Sequence, residues 1–417
     1  MVLTPLRTAI SVFLTALCMI VAAMLPASAA TFQVKRGLNL DQWVTWPQPD
    51  RWGDKDAMLP YPEWRKFIDA EELAYLKRAG LDFLRMPVDP SPMLSPQGAA
   101  LRQQLLDQVL EAVRLVNAAE LKVIVDFHMI TWEDAVGMNQ VLGQEDRFQD
   151  YLTLVRDMAK LLAKEDPAWV AFELMNEPGM DCNDPAGWAQ KQKQLFAAAR
   201  SSATRLTLIL TGGCMSNAES LAKLDPRAYV DDNLIWTFHS YQPFLLTTQG
   251  ATWAGDFIRY VTGLPYPLSS VSRSDLDAIL DQIRTRIRAE APIARRAGML
   301  SYLDEQIATI DTPEKLAAEM EKPFIVAADW AKRHGVPASE ILLGEFGMIR
   351  QEYGQDFTVP ASERAVFYRD MIALAEKHGF PWSMWSYGGA FGVVNAFGDD
   401  KAEPDLMEMI KGLPPAP

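Results

Sequence analysis

Positive charge is in short supply in this chain. Across 417 residues, 40 Lys and Arg face 54 Asp and Glu, a net charge of −14. That deficit argues against nucleic acid or an anionic membrane surface as a partner and leaves neutral polymers and small molecules open. Histidine is scarce at four residues. The first strand carries no His-x-His pair and no third ligand accompanies His128 and His239, so no metal centre is expected. No glycine-rich phosphate turn follows that strand either; the chain continues Asn39-Leu40-Asp41-Gln42-Trp43. This disfavours a doubly wound nucleotide-binding sheet, and no cofactor is implied. There are no internal repeats, and the only biased tract is the Pro-rich tail at 414–417.

Long hydrophobic runs are also missing, with one exception at the start. Arg7 precedes an almost wholly apolar stretch at 9–25, and Ala27-Ser28-Ala29 is a small-x-small cleavage site. Residues 1–30 therefore read as a signal peptide, with an uncleaved anchor as the alternative. A lipoprotein is disfavoured because Leu17, not a small residue, precedes Cys18. Cleavage after Ala29 leaves no other membrane-spanning segment, so the mature chain, 31–417, is expected to be secreted or periplasmic and monomeric. Of three cysteines, Cys182 and Cys214 then remain. In an oxidising compartment they form either a bridge or a pair of free buried thiols.

What is present is a rhythm. Apolar strands are predicted at 34–40, 81–88, 122–128, 169–172, 207–213, 234–243, 341–348 and 381–387. Helical spacing falls at 63–79, 101–119, 147–164, 188–203, 313–334, 362–378 and 404–411. Near-continuous apolar strands alternating with helices predict a parallel (β/α)8 TIM barrel in one domain. The rhythm breaks after strand six. Residues 244–312 hold one helical stretch, 275–289, and read as a long loop insertion.

Barrel active sites are built at the C-terminal ends of strands, so polar residues there carry information. Arg85 belongs to strand two, His128 to strand three, and Asn176 and Glu177 follow strand four. His239 and Tyr241 end strand six, Glu345 strand seven and Trp385 strand eight. Two carboxylates delivered by separate strands are what glycoside hydrolysis requires.

The motifs Asn176-Glu177-Pro178, His239-Ser240-Tyr241 and Gly344-Glu345-Phe346-Gly347 together resemble glycoside hydrolase family 5, the cellulase-type family. The resemblance runs from the first strand to the last. It implies Glu177 as acid/base, Glu345 as nucleophile and Asn176 as a contact for the sugar 2-hydroxyl. Arg85, His128, His239 and Tyr241 would orient carboxylates and substrate, and Trp385 would form the sugar platform. The expected activity is retaining endo-β-glycosidase action on β-1,4-glucan, with a polysaccharide or oligosaccharide as partner. A β-mannanase or an exopolysaccharide-trimming glycanase shares the chemistry, and a non-catalytic sugar-binding barrel is the reading from another class. Asp41-Gln42-Trp43 replaces the Gly-Asn-Trp often found in the family, which leaves the distal subsites open.

Several neighbours have plainer expectations. Glu173 lies deeper than Glu177 and should form a buried ion pair, with Arg85 as candidate partner. Asp126 should form a structural hydrogen bond, and Trp382 should be core. Of Trp43, Trp46, Trp132, Trp188 and Trp253, all expected in loops on the catalytic face, two or three should line a cleft.

Overall fold

A computed structural model describes residues 30–41, 43–44, 46–59, 68–131, 135–180, 182–394 and 403–415. Residues 1–29 of the expected signal peptide, the first part of the helix expected at 63–79, and Trp132 lie outside the described residues.

Eight short strands form a closed parallel barrel in sequence order. They are β1 (Arg36–Asn39), β2 (Phe83–Val88), β3 (Lys122–Phe127), β4 (Val170–Glu173), β5 (Thr207–Thr211), β6 (Leu234–His239), β7 (Ile341–Glu345) and β8 (Trp382–Met384). The ring closes where β1 pairs with β8, Arg36 opposite Trp382 and Leu38 opposite Met384. Nearly every strand position is buried, which explains why the strands read as apolar runs rather than as alternating patterns.

Side-chain alternation divides these strands between two cores. Outward residues such as Leu84, Val125, Phe172, Leu208, Phe238 and Leu343 pack in the large core with the helices. Inward residues Phe83, Ile124, Ala171, Ile209, Ile235 and Leu342 form a second, smaller core with Ala30, Phe32 and Val34. The segment at 30–34 is tied into this floor: Ala30 N–H donates to Glu340 Oε1 at 3.0 Å and Phe32 N–H to Thr207 Oγ1 at 3.1 Å. Above the floor the inward positions turn polar, with Asn39, Arg85, Asp126, Glu173, Thr211, Thr237 and Ser383 all buried. That change of polarity along the barrel axis is what positions the site.

The surrounding helices are α1 (Ala70–Arg78), α2 (Arg102–Ala118), α3 (Glu145–Leu162), α4 (Pro185–Arg200), α5 (Arg273–Glu290), α6 (Arg296–Ala308), α7 (Pro313–His334), α8 (Ala361–His378) and α9 (Pro404–Lys411). Four of these starts are set by side-chain caps: Asp69 accepts from Glu72 N–H, Asp184 from Gly187 N–H, Ser272 from Asp275 N–H and Thr312 from Lys315 N–H. Between β5 and β6 the described chain makes only short helical turns, among them Ala218–Leu221.

The segment after β6 holds two long helices where one was expected. The sequence hides α6 because its buried stripe is narrow, only Met299, Leu303 and Ile307, and Gly298 weakens its first turn. An Arg284–Asp304 ion pair at 2.8 Å links α5 to α6. Tyr266 fastens the segment to α8 by donating its hydroxyl to Asp370 Oδ2 at 2.8 Å. No described helix is long and apolar enough to cross a membrane.

Candidate active site

Arg85 is the hub of the polar layer. It is fully buried on the inward face of β2, and its guanidinium finds an acceptor for every N–H. Nε and Nη2 grip Glu173 with two bonds of 2.8 Å, the ion pair expected for that residue. Nη1 donates to Asn39 Oδ1 at 2.9 Å and Glu345 Oε1 at 2.8 Å; Nη2 donates to Asn176 Oδ1 at 2.8 Å and lies 3.0 Å from Asp126 Oδ2. Burial alone would lower the Arg85 pKa, but the charges of Asp126, Glu173 and Glu345 outweigh it and raise it well above the ordinary value. A lysine has no comparable fork and could not serve five side chains.

From this hub the network climbs to the rim. Asp126 accepts the expected structural bond from His128 Nδ1 at 3.1 Å, and His128 Nε2 lies 3.2 Å from Asn176 Nδ2. Burial pushes Asp126 up to about 7, against the lowering effect of Arg85, and it lowers His128. The His128 ring stacks on Trp385, centroids 5.4 Å apart and planes 16° from parallel. Trp385 is half-buried, while Trp382 is wholly buried, as expected of a core residue.

Glu345 ends β7 and is held from two sides. Arg85 meets Oε1, and the Tyr241 hydroxyl donates to Oε2 at 2.8 Å. Burial, reinforced by the Glu345 and Glu177 charges, pushes Tyr241 well above its ordinary pKa, so the phenol keeps the proton it donates. The glycines flanking Glu345 make room for close neighbours. A Cβ on Gly344 would come within 2.4 Å of Thr237 Oγ1 and 3.0 Å of His239 Nε2, and one on Gly347 within 2.4 Å of the Trp385 carbonyl oxygen.

Glu177 sits beyond β4, which ends at Glu173, four residues before it. Asn176 N–H still reaches back to the Phe127 carbonyl at 2.9 Å, so the chain keeps its parallel course to the rim. Glu177 Oε1 lies 2.9 Å from His239 Nδ1, and 23% of its side chain remains accessible. Burial raises its pKa, against the lowering influence of His128 and Arg85. Burial also lowers His239 to about 4, so that ring is neutral at pH 7. One oxygen each of Glu177 and Glu345 and a ring nitrogen of His239 lie within 4.8 Å of one another. Among the described residues this is the only trio of such donors close enough to hold a metal ion, but Arg85 and Tyr241 already occupy both oxygens of Glu345.

All eight residues singled out by strand position therefore meet at one end of the barrel. Two further polar residues at this end were missed, one in the network and one beside it. Asn39 accepts from Arg85 and donates to the Gly344 carbonyl at 3.0 Å; Asp41, pushed up to about 6 by burial, accepts from Gly388 N–H at 2.8 Å. Both stand at the end of β1, where the same strand-end rule would have found them. The tryptophans divide differently from expectation. Trp43 and Trp46 are buried, and Trp188 lies inside α4, not in a loop, donating to the Thr211 carbonyl at 2.8 Å. Trp253, 59% exposed, lines a cavity at the rim, about 560 Å³, with Glu177, Met215, His239, Tyr241 and Phe244. Cys182 and Cys214 form a disulfide beside that cavity.

Residues 57–391 match the family model of cellulase, glycosyl hydrolase family 5. The chain is 22% identical over 372 residues to Endoglucanase C of Acetivibrio thermocellus, covering 85% of this chain and 91% of that protein. It is 24% identical over 228 residues to Endoglucanase 3 of Fibrobacter succinogenes, covering 54% of this chain but only 30% of that longer protein. Among solved structures, the cellulose synthase subunit Z of Clostridioides difficile superposes with a TM-score of 0.63 at 19% identity, covering 91% of this chain and 99% of that one.

Proposed function

The chain belongs to glycosyl hydrolase family 5, the cellulase family, and we propose that it is a secreted or periplasmic retaining endo-β-glycosidase acting on β-1,4-glucan. The observation that carries this reading is the approach of Glu177 and Glu345, whose carboxylate oxygens come within 4.8 Å. Retaining enzymes keep their carboxyl groups about 5–5.5 Å apart because one must reach the anomeric carbon itself; inverting enzymes leave about 6.5–9.5 Å for a water.

In this reading Glu345 attacks the anomeric carbon and forms an ester as the glycosidic C–O bond breaks. Glu177 gives its proton to the departing oxygen. Water then attacks the same carbon, passing a proton to Glu177 as the ester breaks, and the β configuration is kept. The raised pKa of Glu177 suits a group that must carry a proton near neutrality. Neutral His239 fits both steps, since its Nδ1 accepts from the acid in one tautomer and donates to the carboxylate in the other. Arg85 and Tyr241 fix Glu345, Asn176 meets the sugar 2-hydroxyl, and Trp385 supplies an apolar face for the pyranose.

Polymer choice is assigned to the insertion at 244–312. Its exposed aromatics Phe244 and Trp253 wall the cavity beside Glu177, and Trp253 rests 6.3 Å from Phe391. Glu177 touches the departing oxygen, so this wall meets the leaving half of the substrate. A folded variant with a shortened insertion should show a raised KM on long polymers, while hydrolysis of a small aryl glycoside changes far less. Equal loss of both would make the segment part of the scaffold.

The decisive experiment is a screen of soluble glucans and mannans on the exported chain, with product sizing and NMR of the first-formed anomer. Internal cleavage of β-1,4-glucan with a β product is expected. Cleavage of mannan alone would move the substrate, an α product would overturn the mechanism, and binding without cleavage would leave a sugar-binding barrel.

A further inference from the structure

Glu177 stands on a loop, with a left-handed backbone (φ 38°), immediately before Pro178. Such a conformation is unfavourable in a non-glycine residue and persists only where neighbours enforce it. The neighbour here is the segment after β5. Cys214, Met215 and Ser216 are left-handed too, at φ 51°, 59° and 56°. From this turn Met215 N–H donates to the Pro178 carbonyl at 3.3 Å, one peptide beyond Glu177. The disulfide joins Cys214 to Cys182 on the Glu177 loop, and Lys223 Nζ adds a bond to the Cys182 carbonyl at 3.2 Å. Cys214 and Met215 also face the cavity that Glu177 lines.

We propose that the Cys182–Cys214 disulfide and the Met215–Pro178 hydrogen bond act as a positioning clamp for the proton donor, holding the Glu177 backbone so that its carboxyl stays on His239 and faces the departing oxygen. The proposal rests on Glu177 being the acid/base. Glu345 lies outside the clamp, fixed from other strands by Arg85 and Tyr241. Opening the clamp therefore impairs proton delivery and spares nucleophilic attack. General acid catalysis contributes about 10²–10⁴-fold, and a misplacement near 1 Å forfeits about 10²-fold.

The test compares kcat/KM on two aryl β-cellobiosides. The dinitrophenyl leaving group departs without a proton, whereas an unsubstituted phenyl group needs one. The wild-type chain is assayed oxidised and after reduction with dithiothreitol, alongside the Cys182→Ser/Cys214→Ser pair; thermal melting verifies folding and reoxidation should restore the reduced sample. The clamp predicts a loss of about 10–100-fold on the phenyl substrate, under about 3-fold on the dinitrophenyl one. It also predicts an altered alkaline limb of the pH profile. Equal losses on both substrates, or none on either, would overturn it. Glu177→Ala, run in parallel, must show the same selectivity in stronger form; if it does not, the acid/base assignment has failed instead. Should the serine pair not fold, reversible reduction of the wild type decides the question.

Discussion

Replacing Arg85 with methionine removes the guanidinium while keeping most of its volume, so the effect reports charge rather than a cavity. Three carboxylates lose their direct cationic partner: Asp126, Glu173 and Glu345. Breaking a buried pair from one side costs about 3–5 kcal/mol, set against a total stability of about 5–15 kcal/mol for a typical protein. The loss should depend on pH, and the sign follows from the carboxylates. Burial raises Asp126 to about 7 and raises Glu173, with Arg85 opposing both shifts. A carboxylate whose folded pKa is raised binds more protons folded than unfolded, so its contribution to stability falls as pH rises from the unfolded pKa, near 4, through the folded one. Without Arg85 those pKa values climb further and the fall steepens. Urea unfolding of Arg85→Met should therefore show the full loss at pH 7.5 and a clearly smaller one at pH 5, where the orphaned acids take up protons. A deficit below about 1 kcal/mol at pH 7.5, or one equal at both pH values, would refute the hub role given to Arg85.

Three further outcomes are expected. Glu177→Ala and Glu345→Ala should each reduce polysaccharide hydrolysis by at least about three orders of magnitude, and azide should rescue Glu345→Ala with inversion; near-wild-type rates on the polymer in either variant would sink the pair. The alkaline limb of kcat/KM against pH should lie above the ordinary Glu pKa of about 4.3, because burial raises Glu177, and should vanish in Glu177→Gln. Prolonged dialysis against EDTA should leave activity unchanged, since Arg85 and Tyr241 occupy the oxygens of Glu345 that a cation would need; a loss restored by a divalent ion would contradict this.

The barrel was legible in the sequence because its strands are buried on both faces and most of them are separated by long helices of amphipathic spacing. Strand ends could be placed to within a few residues, and that was enough to bring Arg85, His128, Glu177, His239, Glu345 and Trp385 to one rim. Position was legible in this way; role came only through the motifs. What escaped detection has local causes. Helix α6 buries one narrow stripe, and α4 begins at Pro185, three residues before the helical spacing read from 188, because its Asp184 cap lies among turn-forming residues. The left-handed turn at 214–216 contains no glycine, the usual marker of that conformation, since it is imposed by tertiary contacts rather than chosen by its residues.

Depth in the barrel explains why acids of the same kind have different prospects. One buried cation touches three carboxylates, and Glu177 stands nearby, so the cluster holds more acid groups than positive charge. Low polarity makes that imbalance costly unless some of the acids keep their protons. The shifts of Asp126 to about 7 and of Glu173 and Glu177 upward express this sharing. Asp126 and Glu173 are sealed in the polar layer, where a proton can only settle charge. Glu177, raised by the same burial yet still accessible at the rim, is the member of the raised set whose proton a substrate can reach. The network beneath it thus prepares the acid, and the loop that carries it decides where that acid points.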